Sequence, residues 1–105
     1  MRYATGMTKP TTPPRESAVE ARLVRRVRIA GGEAFKMAPT VAGLPDRLVV
    51  LPGGRVHFVE VKADGGRLSR IQEVRIAELR SLGAEVHVVT GTAGVDDYLA
   101  QHVSD

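Results

Sequence analysis

Residues 45–62 read PDRLVVLPGGRVHFVEVK. Two runs rich in Val and Leu flank Pro52-Gly53-Gly54, and such a break between β-forming runs marks a hairpin. Strands are therefore predicted over residues 46–51 and 55–62. Asp46 lies six residues before Pro52 and Glu60 six residues after Gly54, so pairing about the turn sets the two carboxylates near each other. Side chains alternate along a strand, which puts Val56, Phe58, Glu60 and Lys62 on one face and His57, Val59 and Val61 on the other. Two charged residues thus end a strand that is otherwise apolar. Pro45 stiffens the chain where Asp46 enters the sheet. Neighbouring carboxylates repel unless a cation stands between them, and hard oxygen donors favour Mg²⁺ or Mn²⁺. Lys62, two residues on, can steer a water toward such a site.

Outward from the hairpin, the pattern changes period. Val19, Leu23, Val27 and Ala30 recur every three or four residues, which predicts a helix over residues 15–30. Gly31-Gly32 ends it. EAFKMA (33–38) alternates and reads as a strand, followed by a loop through PTVAGLP. After the hairpin, ADGGR (63–67) is a loop. A second helix is predicted over residues 69–82, with Ser69 and Gln72 at the spacing of a capping box. EVHVVT (85–90) reads as a fourth strand, apolar enough to be central. Residues 95–103 read as a short final helix covering an edge. The order α-β-β-β-α-β with a trailing helix predicts an α/β fold: a mixed four-stranded sheet flanked by helices. Residues 1–14, with three of the six prolines, read as a flexible tail, Met7 being an alternative start, and residues 15–105 as one domain.

Composition narrows the function. The 105 residues carry a formal net charge of +3 and no cysteine, which excludes disulfides, Cys-based zinc sites and a Cys nucleophile. No apolar run approaches the roughly 20 residues that span a bilayer, and no signal-peptide core is visible. These features point to a cytoplasmic protein with no membrane partner. Arg15, Arg22, Arg25, Arg26 and Arg28 crowd one short stretch, as expected for a polyanionic partner. His57, His87 and His102 show no metal-ligand spacing and read as ordinary residues, with His102 exposed.

Pro45-Asp46 followed by Glu60-Val61-Lys62 resembles the PD-(D/E)XK nuclease pattern. Further features resemble its VRR-NUC branch: Glu20, Lys36, Gly43-Leu44-Pro45-Asp46, Phe58-Val59-Glu60-Val61-Lys62, and Gly66-Arg67-Leu68-Ser69 followed by Gln72. The resemblance covers roughly residues 16–100. It implies a restriction-endonuclease-like αβββαβ core and metal-dependent hydrolysis of phosphodiester bonds in DNA. Asp46, Glu60 and the backbone carbonyl of Val61 would bind Mg²⁺, with Mn²⁺ able to substitute, and Glu20 would complete the acidic cluster. Lys62 would position the attacking water, and Gln72 would orient Lys62 or the substrate. Lys36, Arg22, Arg26, Arg67 and Ser69 are the candidate contacts to DNA phosphates. Small stand-alone members occur in phages and bacteria, which places the chain in a bacterial cell or a phage-infected host. Some act on branched DNA, such as a Holliday junction, as homodimers.

Each residue also has a plainer reading. Glu60 and Lys62 can form a surface salt bridge, Asp46 can cap a turn, and Glu20 and the arginines can lie on solvated helix faces. Gln72 can cap its helix with Ser69, a role that excludes a site role if one side chain serves one purpose. The competing functions are a non-cleaving module for structured nucleic acid and a subunit that needs a partner for activity.

Overall fold

The computed structural model describes residues 12–38 and 40–103. Most of the expected tail, residues 1–11, lies outside the described residues; residues 12–14 are exposed. Seven elements follow: α1 (Glu16–Ile29), β1 (Glu33–Lys36), β2 (Arg47–Leu51), β3 (Arg55–Lys62), α2 (Arg70–Ser81), β4 (Val86–Thr90) and α3 (Gly91–His102). The strands form one sheet in the order β1-β2-β3-β4. The first three are antiparallel, and β4 joins β3 in parallel after crossing over through α2. This is the α/β architecture with a mixed four-stranded sheet flanked by helices.

Register divides the side chains between two faces, because residues paired across strands point the same way. Ala34, Val49 and His57 form one row, and Arg47, Val59 and His87 the next. These belong to the face covered by α1 and α3. Val19, Leu23 and Val27 of α1 and Val95, Tyr98 and Leu99 of α3 meet Val49, Leu51, Val59, Val61 and Val89 there in a single core. The opposite face carries Phe35, Leu48, Phe58 and Val86 across the sheet. Among the described residues only α2 lies on that side, and it buries Val86 and Ile76 while leaving Phe35, Val56 and Val88 exposed.

Three expectations change. β4 is an edge strand, not a central one; Val86 and Val89 are buried under the helices while Val88 is exposed, and burial is a separate matter from position in the sheet. The final helix starts at Gly91, four residues before the expected Val95, and lies on the α1 side of the sheet against the core. Of its opening residues, Gly91, Thr92 and Gly94 are weak helix formers, so propensity hides the first turn. β1 and β2 are trimmed to Glu33–Lys36 and Arg47–Leu51. Asp46 thus lies just ahead of its strand, although its carbonyl still accepts from the Met37 N–H.

Candidate active site

The register that pairs Arg47 with Val59 puts Asp46 opposite Glu60 one step further on. Both lie on the α2 face, as does Lys62. Asp46 Oδ2 accepts a hydrogen bond from the Val61 N–H at 3.0 Å, which fixes the carboxylate against the end of β3. The loop before it is anchored twice on α2. Arg75 Nε donates to the Ala42 carbonyl at 3.0 Å. Gly43, at φ +80°, passes so close that an added Cβ would lie 2.5 Å from the Ile71 carbonyl oxygen. Only glycine meets both demands.

Glu60 is the deepest charged group, with 1% of its surface exposed. Its Oε2 lies 3.5 Å from Lys62 Nζ and accepts from Gln72 Nε2 at 3.1 Å. Its Oε1 is buried with no hydrogen-bond partner. Burial, reinforced by the charge on Asp46, pushes the Glu60 carboxyl up to about 7, and Glu16 adds a smaller push. Buried carboxylates in this state are stabilised by a proton or a cation. The oxygen donors of Asp46 and Glu60, together with the Val61 carbonyl, suit a hard divalent ion.

One Gln72 side chain makes the cap and also reaches into the carboxylate cluster, where its partner is Glu60 rather than Lys62. Its Oε1 accepts from the Ser69 N–H at 2.9 Å and completes the capping box, while Nε2 reaches Glu60. A carboxamide has an acceptor end and a donor end, so the helix cap and the site share it without conflict.

The structure does not bring Glu20 to the carboxylates. It sits on the α1 face, where Oε2 lies 2.8 Å from Arg47 Nε and 3.2 Å from Lys36 Nζ. Arg47 and Lys36 are register partners on that face, so they hold Glu20 on the far side of the sheet from Glu60. Arg22 and Arg26 clasp Asp96 of α3 at 2.9 and 2.7 Å. Arg67 and Ser69 are exposed on the segment entering α2. Glu16, one turn ahead of Glu20, carries no sequence signal of its own, yet its charge reaches Glu60.

A model of the VRR-NUC domain matches residues 17–93. The chain belongs to the VRR-NUC family. It is 45% identical over 76 residues to "Putative nuclease p44" of Acyrthosiphon pisum secondary endosymbiont phage 1, an alignment covering 71% of this chain and 82% of that protein. A solved VRR-NUC domain shares the fold at a TM-score of 0.73 with 31% identity, covering 83% of this chain and 95% of the other. The VRR-NUC membership places the chain among nucleases, hydrolases that act on nucleic acid. Among the described residues, no helix is long and apolar enough to cross a membrane.

His57, Glu85, His87 and His102 converge into a candidate metal-binding group on the α1 face. His102 is mostly buried rather than exposed, with 16% of its side chain accessible. The four come from three elements distant in sequence, so no local spacing announces them.

Proposed function

We propose that this chain, as one nuclease domain over residues 15–105, is a metal-dependent DNA endonuclease acting on branched DNA. The observation that carries the reading is Glu60: a buried carboxylate with one oxygen unpartnered, beside Asp46 and Lys62. A structural salt bridge has no use for that orphan oxygen, because an unsatisfied buried acceptor costs about 1–3 kcal/mol.

Asp46, Glu60 and the Val61 carbonyl would hold Mg²⁺, with Mn²⁺ able to substitute. When bound, the ion supplies neutralisation of phosphate charge and a lowered water pKa. In the hydrolysis itself, water forms the new bond to phosphorus as the bond to the 3′-oxygen breaks. Lys62 orients that water and faces the charge growing on the phosphate oxygens. Its side chain is mostly buried, with 13% exposed, and a charge fixed in such a setting acts more strongly than in water. Gln72 holds the Glu60 carboxylate in place from the anchored first turn of α2.

Exposed Arg67 is the phosphate contact best placed beside this site, with Ser69 at the same helix entrance, while exposed Lys36, paired with Glu20 on the opposite face, would meet the DNA backbone further along. Arg22 and Arg26 extend the basic surface along α1, with Asp96 as their resting partner. Glu20 acts through Arg47 and Lys36, positioning the start of β2 rather than touching the ion. A domain this small offers little groove for a junction, and a homodimer would set two sites symmetrically on two strands. The phage relative supports a place in the cytoplasm of a bacterial cell or its phage-infected counterpart.

The deciding experiment is cleavage of a labelled four-way junction, a flap and a plain duplex with Mg²⁺, Mn²⁺ or EDTA, beside Glu60→Gln. Metal-dependent cutting of the junction that disappears in the variant is the expected result. Binding without cutting in any metal overturns the proposal in favour of a binding module or a partner-dependent subunit.

A further inference from the structure

On the sheet face turned away from the carboxylate site, four side chains that the nuclease chemistry does not use meet under α3. His57 comes from β3, Glu85 from the residue just ahead of β4, His87 from β4 itself, and His102 from the last residue of α3. One nitrogen or oxygen from each lies within 4.8 Å of all the others. Glu85 Oε2 is the hub, 2.7 Å from His87 Nε2, 3.2 Å from His57 Nε2 and 4.0 Å from His102 Nδ1.

Hydrogen bonding alone accounts poorly for this gathering. One carboxylate oxygen faces three imidazoles, and His102 Nε2 is buried with no partner. At His57, by contrast, the outer side is finished. His57 Nδ1 meets the Tyr98 hydroxyl at 2.8 Å, which fixes the ring and leaves Nε2 turned inward. That is the arrangement of a ligating histidine whose second nitrogen is held by an outer partner. Burial lowers the proton affinity of His57 and His102, which suits neutral imidazole donors. Half-exposed Glu85 and partly exposed His87 leave a path for an ion to enter.

We propose that His57, Glu85, His87 and His102 bind one divalent transition-metal ion, Zn²⁺ by the chemistry of the set. Three imidazoles and a carboxylate complete a tetrahedron and favour a borderline metal over Mg²⁺. Bonds of about 2.0–2.2 Å require the four groups to draw together slightly, which their side-chain torsions allow. With every position taken by protein, the ion fastens the C-terminal turn of α3 to β3 and β4 and takes no part in cleavage. Tyr98 and His102 lie past residue 93, where the family match ends, so the site depends on a part of the chain beyond that match.

The test is Zn²⁺ titration by calorimetry into the tag-free, chelator-stripped full chain, with and without excess Mg²⁺. One ion per chain is expected, undisturbed by Mg²⁺ and retained in Glu60→Gln. Binding should be lost in His87→Ala and in His102→Ala, and weakened about 10–100-fold in Tyr98→Phe, which removes only the outer partner. Thermal melts should rise with Zn²⁺ in the wild type and stay flat in Glu85→Gln, a half-exposed position where folding is not at stake. Absence of saturable Zn²⁺ binding, binding that survives both histidine variants, or binding lost only in Glu60→Gln overturns the proposal.

Discussion

On the α2 face of the sheet, one buried carboxylate, Glu60, is gathered with Lys62, Gln72 and Asp46. On the opposite face, three imidazoles are gathered around one carboxylate, Glu85. Both groups use β3, and only two residues separate His57 from Glu60. The difference lies in what covers them. α1 and α3 cover their face with a continuous core, so His57 is closed in by packing while His87 and Glu85 lie toward its open rim. α2 covers its face only in part, so Glu60 is buried locally while Phe35, Val56 and Val88 beside it stay exposed. The covered face can hold α3 in place, whereas the open face can admit a nucleic-acid backbone.

The largest effect expected from breaking one side alone is on cleavage. Asp46→Asn and Glu60→Gln should abolish it. Lys62→Ala should slow it by about 10²–10³ in kcat, the scale for removing one preorganised charge-stabilising donor. His102→Ala should leave Mg²⁺-supported cutting at the wild-type rate. Single-turnover assays of the four variants check this, and a dead His102→Ala would join the two groups into one functional unit.

Next comes the loop that sets Asp46. Gly43→Ala should destabilise the fold by about 1–3 kcal/mol, because the methyl collides with backbone and φ +80° strains an L residue. Urea unfolding measures it. A neutral result would mean that the loop shifts freely and does not fix Asp46.

Acidity separates the faces more finely. Between about pH 4.5 and 7 the folded chain keeps the Glu60 proton that the unfolded chain releases, so stability falls as pH rises through that window. The buried imidazoles have the opposite sign: folded His57 and His102 take protons less readily than unfolded ones, so stability falls as pH drops below 6.5. In metal-free buffer at pH 8, Glu60→Gln should therefore be more stable than wild type by about 1–2 kcal/mol, with no gain at pH 4.5. Thermal melts across pH check both limbs. A gain that persists at pH 4.5 would assign the effect to packing.

The smallest difference divides Ser69 from Gln72. Ser69→Ala removes the cap and should cost about 1 kcal/mol, with any lost phosphate contact read in KM and kcat little changed. Gln72→Ala should cost a similar amount and slow cleavage as well, since it also frees Glu60. Stability and kcat measured side by side distinguish them. Equal kcat in the two variants would reduce Gln72 to a cap.

Much of this was legible in the chain because the signals are local. The hairpin about Pro52-Gly53-Gly54 fixed its own register, and the register set Asp46 opposite Glu60. Ser69 and Gln72 announced the start of α2 by spacing alone. β4 was recognised as a strand but misplaced in the sheet, because valine content reports burial and carries no information on neighbours. Glu20 was assigned to the acidic cluster by family resemblance, yet its side chain is claimed by Arg47 and Lys36, an outcome that depends on which face α1 covers.

The sequence by itself determined the elements, the hairpin register and the Asp46, Glu60, Lys62 constellation, since each follows from period, turn chemistry and spacing over a few residues. Only the tertiary structure decided the sharing of Gln72, the capture of Glu20, and the meeting of His57, Glu85, His87 and His102. Those depend on elements far apart in the chain being laid on a particular face of the sheet, and no local pattern encodes that choice.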